Sequence, residues 1–134
     1  MAVTWLHVSD FHLSDKDTYY DQMVILNALV SSVKRLCKED HNPDLIFATG
    51  DIANQGKANE YDHATRFFDE LLDAAGLTKN KLFIVPGNHD VDRNMGFGLA
   101  RTLDANEVAN YFDPETPKPH LALKLQAFSN LNYS

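Results

Sequence analysis

Residues 46–56 read IFATGDIANQG, and the fold turns on how that stretch is read. Ile46 to Thr49 suit a buried strand and run straight into Gly50 and a carboxylate, Asp51. A buried parallel strand ends in a turn, but a turn does not require a carboxylate. Working outward, the full apolar run is DLIFAT at 44–49, and two more flank it at a distance: VTWLHVS at 3–9 and KLFIVP at 81–86. None alternates cleanly between apolar and polar, as expected of strands covered on both faces.

Helical periodicity fills the gaps between these runs. In YYDQMVILNALVSSVKRLC, residues Tyr19, Met23, Leu26, Val30, Val33 and Cys37 recur at spacings of three or four and form one stripe. In NEYDHATRFFDELLDAAG the stripe is Tyr61, Ala64, Phe68, Leu71 and Leu72, with Asn59 as the cap and Gly76 as the stop. Strand, helix, strand, helix, strand implies an α/β fold with a parallel β-α-β-α-β core and right-handed crossovers. After residue 92 the pattern changes to a short helix around ANEVANYF and a final amphipathic stretch, LALKLQAFSNLNY. No fourth core strand follows. The chain therefore reads as the first half of a larger α/β domain, with an exposed sheet edge through which copies can associate.

Composition narrows the function. The 134 residues are 44% hydrophobic, enough to bury a core. A formal net charge of -7 argues against general nucleic-acid binding, which needs clustered Lys and Arg. A local phosphate site stays open if metal ions supply the positive charge. The single Cys37 excludes an internal disulfide and a Cys-based zinc site, and its place on a helical stripe marks a core residue. MAVTWLHVSD lacks the basic start and apolar run of a secretory signal, and no segment approaches the roughly 20 apolar residues that span a bilayer. The expectation is a soluble cytoplasmic protein with no membrane association.

Each strand delivers polar groups at its end: SDFH with Asp10 and His12, TGD with Asp51, and PGNHD with Asn88, His89 and Asp90. In an open parallel sheet, ligands bind outside the carboxyl ends of the strands, so these groups converge on one edge. If the segment is extended, Asp10 and His12 point to the same side and grip one ion together. Carboxylate, imidazole and amide oxygen suit manganese, iron or zinc. A central carboxylate such as Asp51 can bridge two ions about 3.5–4 Å apart, the clamp used for in-line attack on phosphorus. Singly, each motif is more often a turn or a cap; together, in order, they point to a metal pair.

SDFHL, TGDIANQG and VPGNHDV resemble the first three motifs of the calcineurin-like metallophosphoesterases, D-x-H, G-D and G-N-H-[DE]. The resemblance covers residues 6–92. It implies the first half of a four-layer α/β/β/α sandwich, with residues 1–134 as the N-terminal portion of one such domain. Asp10 and His12 would hold one divalent ion, Asp51 would bridge two, and Asn88 would hold the second. His89 would be the proton donor or transition-state contact, and Asp90 the acid that closes the motif. The implied activity is hydrolysis of a phosphate ester, more specifically a phosphodiester, by a metal-activated water at a dinuclear manganese, iron or zinc site. The alternative is a non-catalytic binding or regulatory module with the same fold.

The family's later G-H-x-H motif does not occur in these residues, which leaves both metal sites incomplete. GDIANQGKANEYDHATRFFDELL looks more like the bacterial phosphodiesterase branch than the protein phosphatases, whose second motif continues D-R-G. Other polar residues read blandly: His7 as a satisfied core histidine, His41 and His120 as loop histidines, and His63 as solvated. Arg93 would meet either a substrate phosphate or the carboxylates of Asp90 and Asp92. Phe67 and Phe68 belong to the core.

Overall fold

The apolar runs pair in chain order. In the computed structural model, which describes residues 2–14, 19–92, 115 and 126–131, β1 (Trp5–Ser9), β2 (Leu45–Thr49) and β3 (Leu82–Val85) form a parallel sheet ordered β1-β2-β3. Ser9 pairs with Thr49 and Thr49 with Val85, so the strands end level. Whatever follows Ser9, Thr49 and Val85 is thereby delivered side by side.

Two long helices connect the strands, α1 (Tyr19–Lys38) and α2 (Ala58–Ala75), and they touch each other. The stripe predicted for α2 is the one it buries: Tyr61, Ala64, Phe68, Leu71 and Leu72, joined by Phe67. Each large side chain removed from water contributes about 1.5–3 kcal/mol, so this face fastens the helix to the sheet. The helix starts one residue before the expected cap at Asn59. Its start is secured instead by the Glu60 carboxylate, which accepts the N–H groups of Gln55 and Lys57 at 3.0 Å each. Gly76 ends it as anticipated, at φ +67°, with Leu77 N–H donating to Leu72 O at 2.9 Å in a Schellman-type closure.

Val8, Ile46, Ala48 and Leu82 face the helices and join the core cluster with Leu26 and Val33 of α1. Cys37 packs against that cluster, as its stripe position implied. The other sheet face is more open among the described residues. There Trp5, Phe83 and Val85 are about half exposed, and Phe47 stacks against Phe83 with ring centroids 5.6 Å apart. The reason is topological: with strands in the order 1-2-3, two crossovers of one hand put both helices on the same face. His7 belongs to this face too, so it is an exposed histidine bonded to the Thr49 hydroxyl at 2.7 Å rather than a core one.

A short α3 (Gln126–Ser129) falls within the predicted final helix and lays Phe128 edge-on to Tyr61, centroids 6.1 Å apart. The ANEVANYF helix, Arg93 and His120 lie outside the described residues. Among the described residues, no helix is long and apolar enough to cross a membrane.

Candidate functional site

The sheet's hydrogen bonding does not stop where the strands do. Gly50 N–H donates to Val85 O (2.9 Å), Asp10 N–H to Gly50 O (3.3 Å), His12 N–H to Asp51 O (2.9 Å) and Leu13 N–H to Ile52 O (2.9 Å). The segments after β1 and β2 are thus zipped together, and Leu13, Ile52 and Ala53, all fully buried, fasten both to the core. From α1, Gln22 Nε2 donates to His12 O (2.8 Å), and Gln22 Oε1 accepts the N–H of Ser14 (3.2 Å). Polar side chains are left on the outside of this double loop.

They stand on a backbone that extended geometry does not describe. Asp10, His12 and Asp51 all have positive φ, at 58°, 47° and 43°. The expectation that Asp10 and His12 share a side rested on an extended segment, and left-handed residues break that alternation. His12 turns toward Asp51, with His12 Nε2 3.9 Å from Asp51 Oδ2. Asp10 is exposed and lines a cleft of about 350 Å³ between β1 and α1, with Phe11, Gln22, Ile25 and Leu29.

The third strand end closes on Asp51. His89 N–H donates to Asp51 Oδ1 (2.9 Å), and the His89 and His12 rings meet edge to face with centroids 4.8 Å apart. His12, Asp51 and His89 each offer a ligating atom, all within 4.8 Å of one another. His89 Nδ1 lies 2.9 Å from Asn54 O. A carbonyl only accepts, so Nδ1 carries the proton and Nε2 is the atom free to take an ion or exchange a proton. Gly87 permits this approach: a Cβ there would overlap the Asp51 carboxylate and main-chain nitrogen. Asn88, beside His89, is exposed.

Asp90 departs from the expected convergence. It is fully buried and turned away from the solvent edge, its carboxylate accepting the N–H groups of Ile52 (3.1 Å), Ala53 (2.8 Å) and Gly87 (2.8 Å). Such N–H groups satisfy a desolvated carboxylate in place of water.

Residues 3–132 match the family described as calcineurin-like phosphoesterase. The chain belongs to that family. Among its relatives in this family, a metallophosphoesterase-like protein of Bacillus subtilis described as uncharacterized is 34% identical over 71% of this chain and 19% of its own length. A probable glycerophosphodiester phosphodiesterase of Arcobacter nitrofigilis is 31% identical over 67% of this chain and 31% of its own. A probable cyclic nucleotide phosphodiesterase of Moraxella catarrhalis is 33% identical over 71% and 30%. The chain thus spans between a fifth and a third of the length of these phosphoesterase relatives. Within it, the two-imidazole, one-carboxylate group fits a divalent ion by the chemistry of its donors.

Proposed function

We propose that this chain supplies the first part of a dinuclear metallophosphoesterase site whose substrate is a phosphate ester, specifically a phosphodiester. The observation that carries this reading is the gathering of His12, Asp51 and His89 at the carboxyl edge of a parallel sheet. The phosphodiesterase descriptions of two relatives support the diester. Asp51, central among the strand ends, would serve both ions, Asp10 and His12 would hold the first and Asn88 would contribute to the second. When bound, manganese, iron or zinc ions supply charge for the phosphoryl oxygens and acidify a water. The chain's own part is to hold Asp51 against the His89 turn and to present His89 Nε2 for proton transfer to the departing oxygen. The Asn54 carbonyl keeps the proton on Nδ1, so that Nε2 is the atom that exchanges it.

In the longest natural form of the protein, manganese stimulates hydrolysis of an aryl phosphodiester such as bis(p-nitrophenyl) phosphate, and chelation abolishes it. A panel of mono- and diesters on which no metal stimulates turnover would overturn the assignment. The ligands are ranked by a second measurement. Asp51→Asn lowers manganese affinity, read by calorimetry, more than His12→Asn does, because a bridging carboxylate serves both ions and its charge offsets both. The reverse order would remove Asp51 from the bridging position.

A further inference from the structure

Tyr61 belongs to the apolar stripe of α2 and is 4% exposed, which by itself describes a core residue. Its hydroxyl does something a core residue need not. It donates to Asp90 Oδ1 at 2.9 Å and lies 3.2 Å from Asp90 O. Asp90 Oδ1 therefore receives Ala53 N–H and Tyr61 O–H, while Oδ2 receives Ile52 N–H and Gly87 N–H. Ile52 and Ala53 directly follow Asp51, and Gly87 and Asp90 bracket Asn88 and His89. One buried carboxylate thus ties the turn carrying Asp51 to the turn carrying His89. Among these donors only Tyr61 is a side chain.

We infer that Tyr61 is a positioning residue for the site: acting through Asp90, its hydroxyl fixes the separation between Asp51 and the His89 imidazole. This rests on the phosphoesterase reading above and extends it to a residue on a helix that touches no substrate. A carboxylate with no exposure depends on its donors, and removing one of the two at Oδ1 leaves part of its charge unsatisfied. Asp90 then shifts, and the turn on which His89 sits shifts with it. Burial, followed by the Asp90 charge, holds the Tyr61 hydroxyl far above its ordinary pKa, so it remains a donor throughout the working range.

The experiment compares Tyr61→Phe with Leu71→Val, a substitution of a fully buried residue on the same helix that leaves the Asp90 bonds intact. Both are made in the longest natural form of the protein. Three quantities are read: melting temperature, steady-state kinetics on an aryl phosphodiester with manganese, and the imidazole nitrogen signals of His89, assigned by their loss in His89→Gln. Phenylalanine keeps the packing of the ring, so Tyr61→Phe folds, with a loss of melting temperature that includes the missing bond to Asp90, and Leu71→Val shows what destabilisation of the same helix does by itself. The expected result is a change in the His89 signals and a kcat lowered about 10-fold to 10²-fold with KM little altered, in Tyr61→Phe only. Unchanged His89 signals in Tyr61→Phe, or the same changes in both variants, would overturn the inference. If even the parent protein hydrolyses no ester, the phosphoesterase reading fails, and the His89 signals still decide whether Tyr61 positions that ring.

Discussion

His89→Asn lowers kcat by about 10²–10⁴ while manganese affinity stays near that of the parent protein. Asparagine is the informative replacement because its side-chain N–H₂ can take over the bond that His89 Nδ1 makes to Asn54 O, 2.9 Å away. The turn is then undisturbed and only Nε2 is lost. Asp51 keeps the main-chain N–H of residue 89, since that bond does not involve the imidazole. The comparison is needed because the His89 ring is close enough to His12 and Asp51 to serve as a ligand instead. Calorimetric titration with manganese decides it: metal loss in His89→Asn as large as in Asp51→Asn would make His89 a ligand and leave the proton donor unassigned.

Gly87→Ala destabilises the fold by about 3 kcal/mol, the upper end for overpacking, and weakens metal binding with it. The added methyl would meet the Asp51 main-chain nitrogen and carboxylate together. Neither yields easily. The main chain of Asp51 is bonded through its carbonyl to His12 N–H, and Asp51 Oδ1 holds His89 N–H. The clash is relieved only by separating the turns, which pulls Asp51 from His89. Urea unfolding and a manganese titration measure the two effects. A variant within about 1 kcal/mol of the parent that binds manganese normally would show that these turns can part without cost.

Much of this was legible in the sequence because strong local signals agreed. The three apolar runs and the stripe of α2 survive in the structure, within a residue or two at the element boundaries, and His12, Asp51 and His89 come together beyond the strand ends. Asp90 was not legible, since a motif lists residue types and not the direction in which a carboxylate turns. Tyr61 and Gln22 were missed for a related reason. Periodicity assigns Tyr61 to the core by its ring and is blind to its hydroxyl, and it says nothing of a glutamine reaching back to a loop. The left-handed backbone of Asp10 and His12 was not legible either, because a two-residue repeat assumes an extended segment. That both helices lie on one sheet face among the described residues followed from strand order, which the apolar runs did not reveal.

The left-handed residues at 10, 12 and 51 set a limit on engineering. A non-glycine residue held at positive φ costs on the order of 1–3 kcal/mol, while a whole domain is commonly stable by only about 5–15. Apart from Asp40 just past α1, the described non-glycine residues at positive φ are thus the ones that present the polar side chains of the site. A thermostabilisation campaign guided by dihedral angles would include glycine at Asp10, since that exposed side chain anchors nothing else in the described structure. It would gain melting temperature while erasing a proposed ligand. Improvements compatible with function have to come from positions away from these turns, for example from exposed Leu36 near the C-terminal end of α1, where a polar side chain disturbs none of them.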